Sequence, residues 1–148
     1  MSAPFKWVPL SLSQLPQGFP PGAIRAGTDI DGTAIYVGRA YHEGDVIPAK
    51  VIPSKNACYL AHGGLEILKD EFEVLVQLTI TWKPSSHGSV PEGAVKAGTT
   101  DNGEPLYIGR VTHNGSTTPG KVHPSHGTCY PFAGEEHSSA EYDCLVVE

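Results

Sequence analysis

The 148-residue chain is poor in charge: only 18% of its residues are Asp, Glu, Lys or Arg, and 16 acids against 10 bases leave a net charge of -6. The basic excess of a nucleic-acid binder is therefore missing, and an acidic surface repels phosphate backbones and anionic lipid alike. Long apolar runs are missing too. No stretch reaches transmembrane length, and Met1 to Leu10 carries Pro4, Lys6, Trp7 and Pro9 where a secretory signal would have an apolar core. The expectation is synthesis in the cytoplasm, with release from damaged cells or unconventional export as the routes outward. Cysteine is scarce and odd in number: Cys58, Cys129 and Cys144 read as reduced thiols filling the core, not as a disulfide framework. Helical periodicity has no room to build up between 17 glycines and 13 prolines. Catalytic signatures are lacking as well, with no Gly-x-Ser-x-Gly elbow, no His-Glu-x-x-His and no glycine-rich phosphate loop ahead of a helix. Thiol catalysis by Cys58 or Cys129 near His62 or His126 is a weaker reading than buried structural thiols.

What the chain does have is a duplication. Ala26-Gly27-Thr28 returns as Ala97-Gly98-Thr99 and Tyr36-Val37-Gly38-Arg39 as Tyr107-Ile108-Gly109-Arg110, always 71 positions later, and residues 26–59 match 97–130 at 16 of 34 positions. Upstream, Trp7-x-Pro9 resembles Trp82-x-Pro84. Downstream, Glu71 to Val76 pairs with Glu141 to Val146 after a one-residue slip. Each copy reads as short strands: Ala34 to Val37 and Pro105 to Ile108 follow the turn dipeptides Asp31-Gly32 and Asn102-Gly103. Glu71 to Trp82 alternates apolar and polar residues and predicts one long strand crossing from the first copy into the second. The expected fold is all-β: two tandem repeats, residues 1–78 and 79–148, forming one pseudo-twofold body of short antiparallel strands.

Polar residues present in both copies are the candidates for function. Gly27, Gly32, Gly38, Gly44 and their partners read as turn glycines with positive φ, and Arg39 and Arg110 as structural forks holding carboxylates or loop carbonyls. Tyr36/Tyr107 and Tyr59/Tyr130 read as core aromatics ahead of ligand stackers, and His42/His113 as turn histidines. Lys50 and Lys121 each lie in Pro-x-Lys-Val, where two readings stand side by side: a solvent-facing strand lysine, or a donor to a sugar hydroxyl. The donor reading needs an acceptor, which Asp29 and Asp31 offer in the first copy and Asp101 in the second, with Glu43 as an extra acceptor replaced by Asn114 in the sister copy. Asp29 falls opposite Thr100, and this predicts two sites of unequal strength. His123, His126 and Cys129 are spaced for zinc, but the sister copy has Ile52, Lys55 and Cys58 there, so no metal and no cofactor is expected.

The run Pro-x-Gly-Ala-x-x-Ala-Gly-Thr, Asp-Gly, Tyr-Val-Gly-Arg, His-x-Gly-Asp, Pro-x-Lys-Val-x-Pro-Ser, Cys-Tyr, Glu-(Phe/Tyr)-x-Val-Leu-Val resembles the DM-nine repeat, also found in natterin-like proteins. Two copies span nearly the whole chain, in the manner of the two-repeat mannose-binding lectins of bivalve molluscs. That resemblance implies an all-β, calcium-independent lectin that dimerises and recognises mannose and mannose-type glycans in innate immune recognition of microbes. Proteolytic activity, sometimes ascribed to the wider family, has no visible catalytic set in this sequence, so no enzyme is expected. It places the sugar-binding Asp and Lys on Asp29 and Lys50, and by carry-over on Asp101 and Lys121. Nothing beyond the repeats supplies a membrane-inserting hairpin. The expectation from another class is a non-enzymatic protein-interaction scaffold.

Overall fold

The computed structural model describes residues 5–15, 17–77, 79–125, 127–132 and 134–147, with 77 and 127–132 described for their backbone only. The first seven strands are β1 (Phe5–Ser11), β2 (Arg25–Thr28), β3 (Ala34–His42), β4 (Asp45–Ile52), β5 (Ala57–His62), β6 (Leu65–Leu68) and β7 (Glu71–Gln77). The next seven repeat them: β8 (Ile80–Ser86), β9 (Lys96–Thr99), β10 (Pro105–His113), β11 (Ser116–His123), β12 (Gly127–Phe132), β13 (Glu135–Ser139) and β14 (Glu141–Val147). All the pairings are antiparallel, and no α-helix occurs among the described residues. The all-β expectation holds.

The strands follow the order β1-β7-β3-β4-β5-β6, continue through β13-β12-β11-β10-β14-β8, and carry β2 on β3 and β9 on β10. The mirrored order is the pseudo-twofold relation, with β6 and β13 meeting at its centre through Leu65 and Glu135. One expected element is corrected. Glu71 to Trp82 is not a single strand, because β7 ends at Gln77 and pairs with β1 and β3, whereas β8 starts at Ile80 and pairs with β14. Each repeat needs its own outer strand, and β8, with Trp82-x-Pro84, fills in the second repeat the place that β1 fills in the first.

Tight turns set the register of the central hairpins. Glu43 and Gly44 join β3 to β4 with φ of 49° and 89°, and Asn114 and Gly115 join β10 to β11 with 49° and 85°, the left-handed pair that a two-residue hairpin turn requires. Gly27 and Gly98 serve differently from the turn role expected of them. A Cβ on Gly98 would run into the backbone oxygen of Val46, and one on Gly27 into that of Thr117, so β9 lies against β4 and β2 against β11 with no room for a side chain.

One hydrophobic cluster draws equally on both repeats: Ile24, Ala26, Val37 and Leu75 pack with Val95, Ala97, Ile108 and Leu145. The expected intimate body follows from this shared core, since neither half buries these residues alone. Arg39 ties the halves further. It stacks 4.2 Å over Trp7, pairs with Glu73 at 2.7 Å and donates at 2.7 Å to the carbonyl of Ala97 in the other repeat. Arg110 does the same with Trp82, Asp143 and the Ala26 carbonyl. Both arginines have the structural role anticipated for them.

Candidate functional site

Strand alternation aims Val51 into the core of the first repeat and leaves Lys50 and Ile52 on the opposite face of β4. Lys50 pairs in register with Tyr59 on β5, and β6 then brings Glu66 alongside. Neither lysine faces solvent as one of the two readings had it: Lys50 is 4% exposed and Lys121 9%. A buried ammonium requires a partner, and Lys50 Nζ lies 2.7 Å from Glu66 Oε2. That contact is a charge pairing without aligned hydrogen-bond geometry, and Oε2 is a buried acceptor with no hydrogen bond of its own. The other oxygen of Glu66 accepts from the Gly134 amide at 2.9 Å.

The loop between β2 and β3 supplies the facing wall. Asp31 accepts from the amide and hydroxyl of Thr33, and Gly32 turns the chain with φ of 85°, a side-chain-closed turn of the kind Asp favours. After β4, a 3-10 turn at Pro53–Lys55 ends on Asn56 in the left-handed region and swings Lys55 back toward this loop. Lys55 Nζ then bridges Asp29 at 2.9 Å and Asp31 at 3.0 Å. Burial by itself would raise the Asp29 carboxyl. The hydrogen bonds from Lys55 and the Ile30 amide, with the fields of Lys55 and Lys50, outweigh it and hold Asp29 below its ordinary value. Asp31 is drawn down to about 2 by Thr33 and Lys55.

These elements enclose a cavity of about 310 Å³ lined by Asp29, Ile30, Lys50, Ile52, Lys55, Ala57, Tyr59 and Glu66. Two cations and two carboxylates face one another across it, with Tyr59, Ile52 and Ala57 as apolar wall. The structure thus brings Asp29 and Lys50 together, as the sequence pairing anticipated. Tyr59 lines the cavity while packing on the small cluster of Ile35, Ile52 and Ala57. Other cavities of 310 to 440 Å³ lie beside Arg110, Arg39 and Phe19. Their arginines are already committed to the inter-repeat contacts, or they lack a facing acid and base.

The second repeat keeps the buried pair and changes the rim. Lys121 Nζ lies 3.1 Å from Glu136 and donates at 2.9 Å to the Ala61 carbonyl, and Glu136 accepts from the Gly64 amide at 2.9 Å. Thr100 stands where Asp29 stands and bonds Asn102. Asp101 takes the place of Ile30. Its amide donates to Asp45 of the first repeat at 2.7 Å, and no ion pair joins its side chain to Lys121, so the expected Asp101–Lys121 pair is not assembled. Glu104 is the acid on this rim, 3.1 Å from His123 and bonded to the amide and hydroxyl of Ser125. Glu43 is likewise elsewhere: it sits on the β3–β4 turn between His42 and His62 and is not among the residues lining the first cavity.

His126 lies outside the described residues, as do the side chains of Cys129 and Tyr130, and with them the zinc spacing built on His123. Cys58 and Cys144 are buried and reduced. Burial pushes Cys144 up to about 11 and Cys58 further still, which suits core thiols and not nucleophiles.

Sequence reasoning missed Lys55, Glu66 and Glu136. Glu66 and Glu136 are 70 positions apart, as are Gly64 and Gly134, so the one-residue slip seen at Glu71 and Glu141, applied a few residues earlier, was the signal that pairs them.

A family model described as DM9 repeat matches residues 29–139. Natterin-3 of Thalassophryne nattereri is 34% identical over 95 residues, covering 61% of this chain and 24% of that protein. Natterin-4 of the same fish is 31% identical over 133 residues, covering 86% and 31%. The chain therefore spans a quarter to a third of these curated relatives. Among solved structures, the nematode sperm cell motility protein MFP2B matches with a TM-score of 0.70 at 12% identity, over 97% of this chain and 46% of that one, a likeness of fold. No helix of the described residues is long and apolar enough to cross a membrane.

Proposed function

This chain belongs to the DM9-repeat family, in its natterin-type branch, and on that premise we propose that it is a non-catalytic, lectin-like module whose β4–β6 cavity binds mannose and mannose-type glycans without calcium. The observation that carries the reading is the facing of Asp29 and Lys50 across a cavity that also holds Lys55 and Glu66, whose Oε2 is paired with Lys50 Nζ at 2.7 Å. A pyranose offers adjacent hydroxyls that donate and accept at once, and this site supplies carboxylate acceptors and ammonium donors in one small volume. Tyr59, Ile52 and Ala57 give the C–H face of the ring an apolar wall. A cavity built around the axial 2-hydroxyl of mannose leaves polar atoms unpaired against glucose, a difference of about 1–3 kcal/mol. Lys121 and Glu136 form the second, unequal site, where Glu104 and His123 replace the rim of Asp29 and Lys55. The biological setting that fits is innate recognition of microbial glycans by a homodimer presenting four sites, released from a cytoplasmic pool.

Titration calorimetry with mannose, glucose and galactose, with and without EDTA, tests this. The expected result is mannose-selective heat at roughly millimolar to micromolar Kd, unchanged by chelation and weakened about 10-fold or more by Asp29→Asn. Absence of heat with every sugar would overturn it. The protein-interaction scaffold then takes its place, supported by the exposed Leu65 and Leu68 on β6 and Tyr41 on β3; sedimentation reports whether those residues close a homodimer.

A further inference from the structure

The β3–β4 turn of the first repeat gathers four groups that the sugar cavity does not use. His42 ends β3, Glu43 is the first turn residue, Asp45 opens β4 and His62 ends β5 beside it. Glu43 Oε2 lies 3.4 Å from His42 Nε2 and 3.6 Å from His62 Nδ1, and one ligating atom from each of the three lies within 4.8 Å of the others. Zinc bonds of about 2.0–2.1 Å in a tetrahedron set ligand atoms roughly 3.3 Å apart, so small rotations of exposed Glu43 and the two rings suffice to close such a centre.

Two further features point the same way. His62 presents its other nitrogen, Nε2, 3.6 Å from Asp45 Oδ2, and Asp45 is itself fixed by the Asp101 amide at 2.7 Å. A carboxylate behind a ligating imidazole is the usual device for setting its tautomer and direction. Glu43 also holds its carboxylate between the rings from a left-handed backbone position, φ 49°, where Asn or Gly is relaxed and Glu is not. The second repeat has the relaxed Asn114 there, and Ser116 in place of Asp45.

We propose that His42, His62 and Glu43 bind a borderline divalent transition-metal ion, zinc foremost, with Asp45 orienting His62 and solvent completing the coordination. Two imidazoles and a carboxylate suit zinc, copper or nickel and disfavour calcium and magnesium, which take oxygen. Burial, with Lys69 and the neighbouring ring of His62, lowers the pKa of His42. Lys69 Nζ, 3.3 Å from His42 Nδ1, opposes the ion: metal on Nε2 places the proton on Nδ1, and the ammonium must turn away.

The test titrates the full chain with zinc chloride by calorimetry and with cobalt(II) by visible absorption. One ion per chain is expected. Asp45→Asn weakens it by about 10–100-fold, as loss of an orienting partner does. His42→Gln and His62→Gln weaken it more, Lys69→Met tightens it, and His123→Gln leaves it unchanged. Glu43→Asn separates ligand loss from misfolding: its metal-free melting temperature equals or exceeds that of the parent, while the zinc-induced rise disappears. Zinc affinity unaltered in His42→Gln and His62→Gln, a full zinc-induced rise in Glu43→Asn, or no binding by the parent up to millimolar zinc would each overturn the assignment.

Discussion

The two repeats hold the same buried ion pair and surround it differently. In the first, Lys50–Glu66 looks onto Asp29, Asp31 and the bridging Lys55; in the second, Lys121–Glu136 looks onto Thr100 and a rim where Glu104 engages His123 and Ser125. The contrast separates what the fold requires from what a ligand would read. Each lysine's glutamate accepts from a glycine amide of the opposite repeat, Glu66 from Gly134 and Glu136 from Gly64, so the pair belongs to the seam between repeats as much as to a binding site. Apart from the Asp101 amide on Asp45, the rim contacts named above stay within one repeat, and the rims have diverged.

The largest expected effect breaks the shared part. Lys50→Met strands a buried glutamate and should cost about 3–5 kcal/mol of stability, the usual penalty for half a buried ion pair, read by urea denaturation. Lys121→Met should cost the same, and a marked inequality would mean that the two pairs are not equivalent. Loss of sugar binding in Lys50→Met is therefore confounded with unfolding, and Asp29→Asn is the cleaner probe. Next come the inter-repeat glycines. Gly98→Ala drives a methyl into the Val46 backbone, and about 1–3 kcal/mol is expected for overpacking of this kind. Gly27→Ala should match it if the two crossings are alike.

Smaller effects sharpen the divergence. Exchanging the turn residues should move stability in opposite directions by about 1 kcal/mol, the scale of the left-handed penalty: Glu43→Asn stabilises the first hairpin and Asn114→Glu destabilises the second, both measured by thermal melting. Smallest of all, Lys55→Gln should let the Asp31 carboxyl climb from about 2 toward its ordinary 3.8, followed by carboxyl NMR. Because the folded value lies below the unfolded one, the stabilisation from this pair is present above pH 3.8 and fades as pH falls through about 2. At neutral pH the substitution therefore removes this stabilisation in full, a small loss for so exposed a pair. The second repeat has no equivalent response, since Asn102 and His126 stand at the positions of Asp31 and Lys55.

Much of the fold was readable because duplication writes the same turn and strand chemistry twice. The 71-residue offset exposed the repeats, the arginine roles and Lys50 with Lys121 without any knowledge of contacts, whereas Asp29, opposite Thr100, was singled out from Asp31 by the family resemblance. The burial of Lys50 and Lys121 was not readable, since a lysine in an alternating strand carries no sign of whether a third strand covers it. Here β6 and β13 do so, and their glutamates stand one residue out of register with the rest of the duplication. Lys55 escaped because its sister position is His126, so the internal comparison that found the other residues hid this one. Glu43 and Asp101 were drawn into the sugar site by proximity along the chain, whereas the β3–β4 turn and the β9–β10 loop carry them to the contact between repeats.

The crossed arginines have a consequence for how such a chain arose and behaves. Arg39 holds the Ala97 carbonyl and Arg110 holds the Ala26 carbonyl, a reciprocal exchange in which each surface presents both the hook and the eye. That is the geometry of an isologous dimer. A single ancestral repeat carrying the arginine and the alanine-glycine strand would have been complementary to its own copy, and the peptide joining β7 to β8 converts that association into one that dilution does not reverse.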